Sequence, residues 1–236
     1  MSNESTIQVN FGKPMPIFPL DAIVCMPQQV VPLHVFEPRY RQMTAHALDG
    51  SGQFAVAMFD GPSWKQNYHG SPPIRPSVCI VQIVRHERLA DGRYNLLLQG
   101  ICRAKIIKES PANATRLYRE AVLQPIGIPT MGDEAVLDGF RERLIERLSG
   151  DPLDGLTAAS WVVERAENRE IPSAALLELA TFTLVTGRDA RYDMLTEGDV
   201  ASRRERLARE LDAFEQIIRS ARAQHPEAWP KGCSWN

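Results

Sequence analysis

The chain has 236 residues, 44% apolar and 24% charged, with 27 basic and 29 acidic side chains and a formal net charge of −2. That length allows one large domain or two small ones, and a core that needs no disulfide or metal staple. The balanced charge and a pI of about 6.2 speak against a dedicated nucleic-acid binder, and no apolar run approaches the roughly 18 residues of a membrane helix.

The start, Met1 to Lys13, lacks a basic stretch followed by an apolar one, so no secretory signal is read there. The expected compartment is the cytoplasm. Cys25, Cys79, Cys102 and Cys233 show no C-x-x-C spacing, and three of them sit in apolar, strand-like runs, which predicts reduced core thiols.

From Pro16 to about Gln124 short apolar runs alternate with Pro and Gly. Strands are predicted at 17–24, 30–35, 54–59, 78–84, 94–98, 101–107 and 117–123, on length, β-branching and flanking breakers. Asp91-Gly92 supplies the positive φ of a hairpin turn between two of them. One helix interrupts the pattern. Pro38 suits its first turn, and Phe36, Tyr40, Met43 and Ala47 form one buried stripe. The stretch Asp60–Pro76 has no periodicity and reads as a long exposed loop. Loops of that length are functional or disordered, and its Trp64, Tyr68 and His69 are the candidate contact residues.

Beyond a Pro/Gly-rich linker at 126–132 the period becomes helical. Leu137, Phe140, Leu144 and Leu148 mark a first helix, and 156–169 and 173–186 two more. The second of these is apolar nearly all round and belongs at the centre of a bundle. A short helix at 189–195 leads to a long one from about Asp199, with Val200, Leu207, Leu211, Phe214 and Ile218 inward and Arg203, Arg204, Glu205, Arg209 and Glu210 outward. The expected organisation is α+β: a β lobe over 14–125, a linker over 126–132, a helical bundle over 133–222 and an irregular tail over 223–236. Residues 1–125 carry 13 basic and 9 acidic side chains, and residues 126–236 carry 14 and 20. A solvated mixed surface explains that split.

No phosphate-binding G-x-x-x-x-G-K-[ST], no G-x-G-x-x-G, no H-E-x-x-H and no G-x-S-x-G occurs. The histidines are scattered. Ser63 and Lys65 lie in a Pro/Gly loop that fixes no nucleophile–base geometry. Cys25 lies in an apolar run, where burial makes a thiol inert. No catalytic, cofactor-binding or metal-binding residue is therefore assigned.

Three blocks carry a family resemblance. Pro16-Ile-Phe-Pro19-Leu20, Pro27 and Pro32-Leu33-His-Val-Phe36-Glu37-Pro38-Arg39-Tyr40 follow one another in the first. Asp91-Gly92-Arg-Tyr, Gly100-Ile-Cys-Arg103 and the strand after it make the second. Met194-Leu195 with Asp199–Leu207 make a looser third. Together they resemble the N-terminal, substrate-binding domain of Lon proteases over roughly residues 14–220. Two positions depart from the family pattern: Met26-Pro27-Gln28 stands where Phe-Pro-Gly is usual, and Pro76-Ser77 where Gly-Thr is usual.

The resemblance implies a PUA-like β pseudobarrel followed by a helical bundle, without the ATPase and Ser–Lys protease domains of Lon. It makes the first block mainly architectural. Leu33 and Phe36 are expected to anchor the core, Glu37 to pair with Arg41, and Arg39 to pair with a carboxylate across the lobes. It implies a non-enzymatic polypeptide-binding protein that takes unfolded or damaged chains and needs no cofactor. The alternatives are a PUA-like RNA-binding module, which the charge opposes, and a small-molecule or hydrolytic enzyme on the same fold. Self-association as a homodimer stays open.

Overall fold

The computed structural model describes residues 7–21, 23–68 and 70–224. The masked positions include His69, His225 and Cys233, so the readings on those residues and on the tail beyond 224 lie outside the described residues. The element order is β1 (Met15–Leu20), β2 (Val30–Val35), α1 (Pro38–Leu48), β3 (Gln53–Met58), β4 (Ser77–Arg88), β5 (Tyr94–Ser110) and β6 (Glu120–Ile126). The helices α2 (Asp133–Val136), α3 (Phe140–Leu148), α4 (Thr157–Glu167), α5 (Ser173–Leu184), α6 (Arg188–Thr196) and α7 (Val200–Ala223) follow. The fold is α+β.

The strands form a closed barrel with one appended strand. β1 pairs in parallel with β3, β3 with β4, β4 with β5, β5 with β6, and β6 returns to β1. β5 is long because one continuous strand covers the two segments read from sequence. Its second half pairs with β6 and its first half with β2. Alternate apolar residues close the interior: Ile17, Ala55, Ala57, Val78, Ile80, Ala104, Ala121 and Leu123. The small alanines let a narrow barrel close.

Packing divides the chain into two units. One holds 1–130 and 187–199, and the other 131–186 and 200–236. This differs from the contiguous lobes expected from sequence, because α6 belongs with the barrel. The Ser77 N–H donates to the Tyr192 hydroxyl at 2.8 Å, and Arg103 Nε donates to the Met194 carbonyl at 3.3 Å. Arg75 lies over the Tyr192 ring at 4.7 Å and pairs with Asp189 at 2.8 Å. The main chain of Ser77 thus ties β4 to α6.

In the helical unit, α5 packs against α2, α3, α4 and α7. Glu134 of α2 accepts from the Ser173 and Ala174 N–H groups and caps α5 at its positive end. The predicted single helix through Leu137 and Leu148 is two, because Gly139 adopts φ +62 between α2 and α3. Arg203 is not on the wet face: it is buried on α7 and pairs with buried Glu178 of α5 at 3.4 Å. Arg141 is buried too. It donates to the carbonyls of Ala166, Asn168 and Ile171 around the end of α4, where the helix dipole favours a cation.

Candidate functional site: an aromatic loop and an apolar sheet face

The loop after β3 is ordered by the first sequence block. Its base is closed by a bridge between Phe59 and Ile74 and by the Asp60 N–H to the Pro73 carbonyl. Pro62–Asn67 form a short 3-10 helix. Trp64 stacks on Phe59, centroids 4.7 Å apart and planes within 4°. Tyr68 stands 5.6 Å from Trp64.

Glu37 and Arg39 hold this cluster. The Tyr68 hydroxyl donates to Glu37 Oε1. Arg39 Nε donates to Glu37 Oε2 at 3.0 Å, and its Nη1 to the Tyr68 carbonyl at 3.1 Å. The Arg39 guanidinium lies between two rings, 4.6 Å from Tyr40 and 4.8 Å from Tyr68. Tyr40 in turn meets Phe18 at 4.3 Å inside the barrel. Glu-Pro-Arg-Tyr is therefore a strap from core to loop. Burial pushes the Tyr68 hydroxyl pKa up, and its bond to the Glu37 carboxylate pushes it the same way. Burial also raises that of Tyr40.

Arg39 pairs with its neighbour Glu37, not with a carboxylate across the lobes. The Glu37 carboxylate faces Arg39 and Tyr68 rather than Arg41. The Arg41 guanidinium instead lies against Gly92, where a Cβ would come within 2.0 Å of it. Phe36 does not anchor the core: it is 60% exposed, and Leu33 is half-buried. Pro38 opens α1, with Glu37 extended before it.

The other block residues are architectural. Pro19 and Leu20 end β1 beside Ala57 and Met58. Met26-Pro27-Gln28-Gln29 is a tight turn closed by the Gln29 N–H to the Met26 carbonyl, 3.2 Å, with Gln28 at φ +66. Gly100 lets that turn approach, since a Cβ there would lie 2.0 Å from the Met26 carbonyl oxygen. Cys25 follows β1 in irregular chain and not in a strand, because pairing with β3 ends at Leu20. Cys25 and Cys79 are buried and Cys102 partly so, all as free thiols. Burial raises the Cys79 thiol and lifts Cys102 to about 11.

Alternation along β2 sends Val31 and Val35 inward and Val30, Pro32, His34 and Phe36 outward. Opposite them on β5 stand Gln99, Leu97 and Asn95. Val30 is 53% exposed, and Val84 projects at a bulge in β4. Asn95 ties the polar end together, meeting His34 Nδ1 at 2.7 Å and donating to Glu87 at 2.9 Å. His34 and Phe36 stack at 6.3 Å. The face thus runs from Val30 to Phe36, one residue before the Glu37 that holds Tyr68.

Sequence reading singled out Trp64 and Tyr68, and the structure brings both together on Phe59. It missed the outward row. Residues 30–33 are apolar at every position, so alternation gives no sign there of which side is wet. Among the described residues no group of three His, Cys, Asp or Glu is placed to hold a metal ion, and no helix is long and apolar enough to cross a membrane.

Residues 14–213 match the family model described as the ATP-dependent protease La (LON) substrate-binding domain. The chain belongs to the Lon substrate-binding domain family. Two solved Lon structures share this fold. The N-terminal domain of Mycobacterium avium complex Lon protease gives a TM-score of 0.61 at 17% identity, covering 85% of this chain and 98% of that one. A Lon N-terminal domain protein from Xanthomonas campestris gives 0.57 at 22% identity, covering 83% and 97%. A Lon protease from Trichlorobacter lovleyi is 25% identical over 138 residues, 55% of this chain and 16% of that protease. The Lon blocks read from sequence fall on the strap, the turn at Gln28 and the clasp between Arg103 and α6.

Proposed function

We propose that this protein is a non-enzymatic polypeptide-binding module that holds unfolded or damaged chains against the outer face of β2 and β5, with the Trp64–Tyr68 loop as its flank. One observation carries the reading: an outward row from Val30 to Phe36 in which Val30, Pro32 and Phe36 are apolar and His34 is the polar member, beside an aromatic cluster fixed by Glu37 and Arg39. Exposed large apolar side chains grouped on one face and bordered by polar residues mark interaction sites. Membership of the Lon substrate-binding domain family supports a polypeptide as the occupant.

The test is a fluorescence-anisotropy titration with a permanently unfolded labelled polypeptide and its folded form as control, without nucleotide. A micromolar dissociation constant, on the order of −8 kcal/mol, is expected for the unfolded form alone. The pair Val30→Ser and Phe36→Ser should weaken it about tenfold or more, through the loss of two anchors. Equal binding by this variant removes the sheet face from the reading. Absence of binding to either form removes the polypeptide.

A further inference from the structure

Between α3 and α7 of the helical unit lies a cleft of about 440 Å³. Phe140 and Leu144 face Leu207 and Leu211 across its floor. Three guanidinium groups, Arg143, Arg147 and Arg204, and one carboxylate, Glu205, also line it, and the partners of the arginines differ. Arg147 is neutralised by Asp212 at 2.5 Å and Glu215 at 2.6 Å. Arg143 and Arg204 donate to main-chain carbonyls, those of Asp138 and Val136, each at 2.8 Å. Among the described residues no carboxylate forms an ion pair with either.

We propose that this cleft docks an acidic amphipathic helix of a partner protein. Its apolar side chains enter between α3 and α7, and its flanking carboxylates reach Arg143 and Arg204. An apolar slot between two helices is the receiving half of helix-in-groove recognition. Two cations met only by carbonyl dipoles set the sign of the partner's flanks and reject basic ones. A second copy fits less well. A two-fold interface would set Arg143 and Arg204 of each copy against the other copy's carboxylates, of which Asp212 and Glu215 are already held by Arg147 and Glu205 alone remains for two cations. The site is on different elements from the sheet face and is independent of what that face binds.

The experiment uses the full chain and a labelled, lactam-stapled helical peptide with leucines at i and i+4 flanked by glutamates. Anisotropy is expected to show saturable binding that weakens with salt. Replacing the peptide's glutamates by lysines, or using the charge-reversed protein R143E/R204E, should each cost at least about tenfold. The reversed protein should prefer the lysine peptide. Should the reversed protein fail to fold, Arg143→Gln with Arg204→Gln is expected to lose affinity for the glutamate peptide and most of its salt dependence. The proposal is overturned if the wild-type chain does not bind the glutamate peptide, or if neither substitution pair changes its affinity. It is equally overturned if sedimentation shows a dimer that the substitutions dissolve, since the occupant is then a second copy.

Discussion

Gln28 is a residue whose neighbours dictate an unfavourable backbone. It sits at φ +66 in the third position of a turn with Pro27 in the second, the place where a type II turn calls for glycine. A Cβ in the left-handed region costs about 1–2 kcal/mol, partly offset by the greater entropy glycine loses on folding. Gln28→Gly should therefore stabilise the protein by about 0.5–1 kcal/mol, read as a higher urea midpoint with an unchanged slope. Tyr68 offers the opposite case. Tyr68→Phe removes the bond to Glu37 and leaves a half-buried carboxylate with one partner fewer. The expected cost is about 1 kcal/mol, with faster proteolytic nicking inside 60–76 as the direct readout.

Elements meet through a few buried polar clasps, and each clasp predicts a loss. Glu178 of α5 and Arg203 of α7 are both buried. Glu178→Gln takes one buried carboxylate charge away from the guanidinium and should destabilise by about 3–5 kcal/mol, measured by thermal or urea unfolding. Gly100→Ala forces a Cβ onto the Met26 carbonyl and should destabilise by about 1–3 kcal/mol as the turn moves away. The strands were legible where apolar runs end at Pro or Gly, as β2 shows with the same bounds by both routes. Periodicity failed where charge was paired inside: Arg203 looked wet because a stripe shows position, not partner. It failed again at Gly139, since a helical pattern persists across a one-residue break. In the loop, composition pointed to Trp64 and Tyr68, but only tertiary packing joins them to Glu37, 31 residues away from Tyr68.

Across the whole molecule the buried thiols and phenols give stability a pH dependence of definite sign. The Cys102 pKa rises from 9.0 to about 11, and Cys79, Tyr40, Tyr68, Tyr118 and Tyr192 move up as well, burial being the largest cause in each. The folded state keeps these protons where the unfolded state releases them. The Cys102 contribution is complete below pH 9 and is lost as pH climbs through 11, and the other raised groups act in the same sense at alkaline pH. The urea midpoint should decline over that window, and alkylation of Cys102 in the folded protein should accelerate near pH 11 rather than 9. The discontinuous barrel unit makes a further prediction. A chain cut after Thr130 lacks α6, so Ser77 and Arg103 lose Tyr192 and Met194. It should unfold at lower urea than the full chain and with a broader transition, followed by circular dichroism.

The place of α6 also sets an order of events during synthesis. The barrel strands are complete at Ile126, but the helix that clasps β4 and β5 ends at Thr196. At about 5–20 residues per second a ribosome needs roughly 4–14 s to make the intervening chain. Through that interval the barrel exists with its α6 side bare, and Tyr192, Met194 and Leu195 have yet to cover it. A newborn chain of this protein is thus itself, for some seconds, an incompletely folded polypeptide with exposed apolar surface, the same class of molecule its mature sheet face is proposed to hold.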